Sequence, residues 1–215
     1  MTSLLDPIIQ SPRLPNYIRK LENVLREEQQ KREAFYNTIT EDEKAEFING
    51  EVIMHSPVKL IHNSASGTLY RLLSAFVEKH NTGYVGHEKL MISLTRNDYE
   101  PDVCFWKKEK SAQFKPEQLQ FPAPDFIAEV LSDSTEKVDR GVKFEDYAAH
   151  GVSEYWIIDA AKQTIEQYAL DGDQYALARK LDNGTITSLA IPNFTIPVRA
   201  LFDSNESARA LRDLI

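Results

Sequence analysis

The chain has 215 residues, 25 basic against 33 acidic, and a formal net charge of −8. That balance excludes a broad basic nucleic-acid-binding surface, while a local groove stays open. A single cysteine, Cys104, excludes a disulfide framework and fits a reducing, cytoplasmic setting; no membrane-length apolar run is present, and Met1–Pro7 carries neither a basic nor an apolar export signature.

Residues 1–16 contain Pro7, Pro12 and Pro15 and read as an irregular arm. From 17 to 36, Ile18, Leu21, Val24 and Leu25 recur at helical spacing among charges, which predicts a helix with a narrow apolar stripe. Residues 1–36 thus form an N-terminal arm and helix, and 37–215 one mixed α/β domain. Phe47-Ile48 and Val52-Ile53 flank Asn49-Gly50, the signature of a hairpin. A helix is predicted over Asn63–Lys79, capped by Asn63 or Ser64, then a strand over Tyr84–Leu94, and after an Asn97-Asp98 turn a second over Asp102–Trp106. Residues 107–123 read as a long polar excursion, a length often associated with function. Phe126–Leu131 has the apolar run of a central strand, Asp139–His150 reads as a helix stopped by Gly151, and Glu154–Asp159 as a buried strand. Strand, helix and strand make a parallel, right-handed crossover. A hairpin over Thr164–Leu170 and Gln174–Lys180 follows, and Glu206–Leu214 closes the chain as a helix.

Two acids stand in apolar company. Glu129 lies inside Phe-Ile-Ala-Glu-Val-Leu and shares a face with Ile127 and Leu131. An unpaired carboxylate buried there costs several kcal/mol, so it calls for a cleft, a cation or a metal. Asp102 opens the run Val103–Trp106. Each alone also suits a structural role, Glu129 in a salt bridge and Asp102 in a strand-entry turn; together on neighbouring strands they point to a metal site. Hard oxygen donors without thiolates or a histidine pair suit Mg²⁺ or Mn²⁺, which serve phosphoryl chemistry. A lysine near the scissile phosphate would complete it. Lys143 is the nearest candidate, sharing a helix face with Asp139 and Tyr147 at i, i+4 and i+8; an exposed Asp139–Lys143 ion pair is the plainer alternative.

Pro101-Asp102 followed by Glu129 on the next strand resembles the PD-(D/E)XK nuclease superfamily. Four segments are similar to the Uma-two family of restriction-endonuclease-like proteins within it: Ala45–Val52, Glu100–Val103, Ile127–Thr135, and Asp139 through Lys143 and Tyr147 to Asp159. The resemblance spans about residues 40–170. It implies a restriction-endonuclease-like core, a mixed central sheet flanked by helices, with Asp102 and Glu129 as metal ligands. The superfamily usually places its lysine two residues after the strand acid. Leu131 stands there, and the resemblance implies a lysine moved to the helix as Lys143. It also implies Glu46 as an extra ligand and a histidine at His62. The expected function is Mg²⁺- or Mn²⁺-dependent cleavage of DNA; the apolar stripe of the 17–36 helix could serve a homodimer contact, and packing of this helix on its own sheet is the plainer reading. A catalytically silent binding or scaffold protein and a hydrolase of a small phosphate ester, its pocket lined by 107–123, are the alternatives.

Overall fold

A computed structural model describes residues 5–40 and 42–215. Pro7 and Pro15 sit in the first turns of two helices, where a missing amide donor costs nothing: α1 (Asp6–Ile9) and α2 (Leu14–Thr38). Residues 6–16 are therefore largely helical rather than irregular, and the part of the arm and of the export reading that falls on residues 1–4 lies outside the described residues. The stripe Ile18, Leu21, Val24 and Leu25 is exposed. The C-terminal half of α2 seats it: Phe35 stacks on Phe47, and the Arg32 guanidinium donates to both carboxylate oxygens of Asp98, at 2.7 and 2.8 Å. This bidentate geometry is the strong form of an ion pair.

The predicted hairpin is β1 (Ala45–Ile48) with β2 (Glu51–Met54). Asn49 and Gly50 both have positive φ, as its two-residue turn requires. Helix α3 (Leu60–His80) starts about one turn earlier than predicted, with Lys59 as its N-cap and no side-chain cap. The strand predicted over Tyr84–Leu94 is two strands, β3 (Gly83–His87) and β4 (Met91–Ser93). Glu88 and Lys89 between them both have positive φ, which breaks the extended chain and passes it from one sheet to another. Then come β5 (Asp98–Tyr99) and β6 (Val103–Lys107). The excursion holds a short helix α4 (Lys108–Ser111) and β7 (Gln120–Phe121), which pairs with β4.

The central strand is β8 (Phe126–Val130). The helix predicted over 139–150 is two pieces, α5 (Glu136–Asp139) and α6 (Val142–Ala149), broken at Arg140-Gly141, and Gly151 follows α6 with positive φ. Strand β9 (Glu154–Asp159) runs parallel to β8, as the crossover requires. The hairpin β10 (Thr164–Asp171) and β11 (Gln174–Leu181) completes a six-stranded sheet of order β11-β10-β9-β8-β6-β3. A small pair not foreseen from the sequence, β12 (Thr185–Thr187) with β13 (Thr195–Pro197), leads through a 3-10 turn at Val198–Leu201 to α7 (Ser204–Leu214).

Alternation along β8 and β6 divides the core. Phe126, Ala128, Val130, Val103 and Phe105 face α3 and the C-terminal elements. Ile127, Cys104 and Trp106 face the other way, onto α6 and the second sheet, of order β2-β1-β5-β4-β7. Among the described residues no helix is long and apolar enough to cross a membrane.

Candidate active site

The register of β6 against β8 pairs Val103 with Ala128. One step further along the antiparallel ladder brings Asp102 opposite Glu129, on the same face. Their link is reciprocal: the Asp102 amide donates to Glu129 Oε2 at 3.2 Å, and the Val130 amide to Asp102 Oδ2 at 2.8 Å. Both side chains are buried, at 5% and 3% exposure. The second sheet supplies Glu46 on β1, and Glu100 enters from the strand connection. The Glu100 amide donates to Glu46 Oε1, and the Ala45 amide to Glu100 Oε2.

Helix α6 closes the cluster. Lys143, 2% exposed, places its ammonium 2.8 Å from Glu46 Oε1, 3.0 Å from Glu129 Oε1 and 3.3 Å from Asp139 Oδ1. An ammonium has three donors, and three carboxylates surround this one. The break at Gly141 does not separate Asp139 from Lys143, because α5 and α6 meet at the cluster. The Asp139–Lys143 pair, in the plainer alternative an exposed one, is buried. Tyr147, one turn after Lys143, donates its hydroxyl to Glu129 Oε1 at 3.1 Å and packs edge-on against Tyr99 and Tyr155; it belongs to the core and to the cluster at once.

His62, on the first turns of α3, lies with Nε2 3.2 Å from Asp102 Oδ2. His55 Nε2 lies 3.3 Å from Glu46 Oε2. Lys44, just before β1, stands 3.6 Å from Asp102 Oδ1. The sequence pointed to Asp102, Glu129, Glu46, His62, Asp139, Lys143 and Tyr147, and all seven converge here. It missed Lys44, His55 and Glu100 as site residues. Glu100 was visible only as the neighbour of Pro101-Asp102, and Lys44 was hidden in a charged stretch; the one available signal was the i, i+2 relation of Lys44 to Glu46.

Five carboxylates (Glu46, Glu100, Asp102, Glu129 and Asp139) thus share a small volume with two ammonium groups. Burial pushes Glu129 up, Lys143 opposes it, and Asp139, Asp102 and Glu46 reinforce it; its carboxyl rises to about 8. Burial raises Glu100 to about 7 against the pull of Lys44. Asp139 is raised too, chiefly by burial. Burial also acts on Asp102 and Glu46, but there the opposing groups win. His62, Lys44 and the Val130 amide hold Asp102 at about 2, and Lys143 and His55 hold Glu46 at about 2. Burial pulls Lys143 down, yet the three carboxylates outweigh it and its pKa stands well above the ordinary value.

A cavity of about 330 Å³ opens onto this cluster. Asp102, Glu129, Asp139, Lys143, Lys44 and His62 line it, and residues 132–136 form its far wall. Glu46 and Tyr147 stand behind it. The excursion 107–123 does not reach it, so that segment does not line the pocket as expected. Among the described residues no three His, Cys, Asp or Glu side chains are gathered as a ready-made metal centre; the ammonium of Lys143 stands between Glu46, Glu129 and Asp139. The donor set nevertheless suits a hard cation. The acids outnumber the ammonium groups, and Asp139 Oδ1, buried in the cavity wall, has the Lys143 ammonium at 3.3 Å and no hydrogen bond among the described residues. Asp102 Oδ1 meets only the distant Lys44 among the contacts of that atom.

The chain is similar to two uncharacterized proteins of Synechocystis sp. One is 31% identical over 141 residues, covering 65% of this chain and 79% of the relative. The other is 30% identical over 139 residues, covering 61% and 68%. A crystal structure described as a "putative nuclease belonging to DUF820" from Anabaena variabilis superposes with a TM-score of 0.67 at 16% identity, covering 78% of this chain and 94% of that one. At that identity the likeness shows the fold, a restriction-endonuclease-like one. Residues 27–199 match the family Uma2, described as "Putative restriction endonuclease", and with that match extending over most of its length the chain belongs to the Uma2 family.

Proposed function

We propose that this chain is a divalent-metal-dependent endonuclease that hydrolyses phosphodiester bonds of DNA. The observation that carries the reading is the pair Asp102 and Glu129, buried on one sheet face and exposed together to one cavity. Family membership and the fold of the Anabaena protein support it. Asp102 and Glu129 would hold Mg²⁺ or Mn²⁺, with Asp139 facing the same cavity as a third oxygen donor. Glu46 has both oxygens engaged, by Lys143 and the Glu100 amide on one side and His55 on the other, so its first duty is to hold Lys143. When bound, such an ion supplies charge neutralisation and Lewis acidity to a phosphodiester.

The chain's own residues do the rest. Asp102 stays ionised at neutral pH because His62 and Lys44 hold it so. Burial among acids raises the Glu129 carboxyl toward neutral pH, and a cation beside it would favour its ionised form. Lys143 keeps Glu46, Glu129 and Asp139 from separating. The test is cleavage of plasmid and oligonucleotide DNA in Mg²⁺ and Mn²⁺ by the wild type, Asp102→Asn and Glu129→Ala. Metal-dependent cutting that both substitutions abolish, with fold retained, is the expected result; a folded wild type that cuts no DNA with either metal refutes the proposal.

The ammonium already seated among three carboxylates favours a second reading, a binding protein that keeps the fold without the chemistry. Melting with and without Mn²⁺ separates the two, since an ion bound by the folded state raises the midpoint.

A further inference from the structure

The cavity is lined by four lysines, Lys44, Lys59, Lys143 and Lys162, and they are not equivalent. Lys143 is enclosed: three carboxylates lie within 3.3 Å of its ammonium, and it could meet a ligand only by moving away from buried acids that it neutralises. Lys59 and Lys162, at the rim, are each hydrogen-bonded to an acid at 2.7 Å, Asp133 and Asp159 respectively. Lys44 differs. Its side chain is 20% exposed, and its Nζ lies 3.6 Å from Asp102 Oδ1, too far for a hydrogen bond. Among the described residues that is its carboxylate contact within 4 Å, with Glu100 pulled at longer range and no hydrogen bond to either, so its ammonium has donors to spare.

Its backbone is fixed where its side chain is not. The His55 amide donates to the Lys44 carbonyl at 3.0 Å, continuing the β1–β2 hairpin beyond its last ladder pair. Lys44 and Glu46 are two residues apart, so both point from the second sheet toward the cluster, while Ala45 and Phe47 point to α2. The lysine therefore reaches the cavity from the wall opposite α6, beside Asp102 and beside the oxygen of Asp102 that no amide or histidine engages.

From this geometry we infer that Lys44, and not Lys143, is the lysine that meets a phosphate group of the substrate, and that Lys143 is a positioning residue acting as the fixed internal counter-ion of Glu46, Glu129 and Asp139. The substrate class rests on the nuclease reading; the division of labour between the two lysines rests on the contacts alone. A phosphate entering this acidic cavity needs a cation that can turn toward it without abandoning a buried partner. Lys44 meets that requirement and can donate to a non-bridging oxygen as a charge-assisted hydrogen bond.

The test uses inorganic phosphate as the probe. Its binding to the full chain is measured by calorimetry, with and without Mn²⁺, for the wild type, Lys44→Met and Lys44→Arg. Loss of one charge-assisted hydrogen bond should weaken binding about tenfold or more in Lys44→Met, with partial recovery in Lys44→Arg. In parallel, reductive methylation of the wild type is read by mass spectrometry: Lys44 should be modified, phosphate should protect it, and Lys143 should stay unmodified. Phosphate that binds Lys44→Met as tightly as the wild type, or binds neither, overturns the inference. So does protection that falls on Lys59 or Lys162 and not on Lys44, a readout that stands even if Lys44→Met fails to fold. DNA cleavage is scored separately: a protein that cuts no DNA but binds phosphate through Lys44 sinks the nuclease reading and leaves this assignment standing.

Discussion

Replacing Glu129 by Gln should change how stability depends on pH. Burial among acids raises the folded-state Glu129 carboxyl from 4.5 to about 8. A group raised in this way contributes stability that is complete below its unfolded value and is lost as pH rises through its folded value. At pH 6 Glu129 holds its proton about two units below its midpoint, which at about 1.36 kcal/mol per unit is a contribution of ~3 kcal/mol; at pH 9 almost none remains. The metal-free wild type should therefore lose ~3 kcal/mol between pH 6 and pH 9 from this residue, or roughly 6–12 °C of melting temperature in a domain of this size. Glu100, raised to about 7, adds a loss of the same sign that the substitution leaves in place. Asp102 and Glu46 act in the opposite sense and outside this window, since carboxyls held at about 2 lose their contribution only as pH falls below the ordinary range. Glu129→Gln has no proton to lose. Urea titrations of both proteins at pH 6, 7.5 and 9, without divalent ions, should show the variant's profile flatter by ~3 kcal/mol and the variant more stable at pH 9. Parallel profiles would falsify the claim that burial and the neighbouring acids outweigh Lys143 at Glu129, and with it the electrostatic case for a cation at this cluster.

Lys143→Met should destabilise the fold by about 3–5 kcal/mol in urea unfolding, because three buried carboxylates lose their shared counter-ion. Combined with Glu129→Gln the loss should be smaller than the sum of the two single effects, which a double-mutant cycle measures. Adding Mn²⁺ to the wild type at pH 7 should release protons, since burial among acids raises Glu129 to about 8; calorimetry in buffers of different ionisation enthalpy reads the number, and binding without proton release contradicts it. Arg32→Ala should cost about 3–5 kcal/mol by leaving buried Asp98 with the Tyr36 hydroxyl but no cation, and should loosen α2 from the second sheet, seen as faster amide exchange in residues 27–38.

The two site acids were legible because each breaks a local pattern. Glu129 interrupts a strand whose neighbours are all apolar, and period-two alternation assigns its face without any tertiary information; the structure puts it on the face of Ile127, bonded to Tyr147 of the same cluster, as that rule requires. The crossover around it was equally legible, since two apolar runs joined by a helical segment have one common right-handed solution. Local signals misplaced what tertiary geometry sets. Residues 84–94 are strand-like at both ends with Gly86-His87-Glu88-Lys89 between, and the break at Glu88-Lys89 is where the chain leaves one sheet and joins another. The break at Gly141 likewise bends α5 onto the cluster.

What the sequence determined by itself, then, is the set of elements and the presence of charged groups where an apolar core belongs, because side-chain periodicity is a local property of the backbone. Only the tertiary structure decided which charges meet. Residues Lys44 and Lys143 are ninety-nine positions apart, and nothing in their own surroundings tells the enclosed ammonium from the one with free donors. That difference is made by three carboxylates from two sheets and a helix junction, and long-range packing alone brings them within 3.3 Å of one nitrogen.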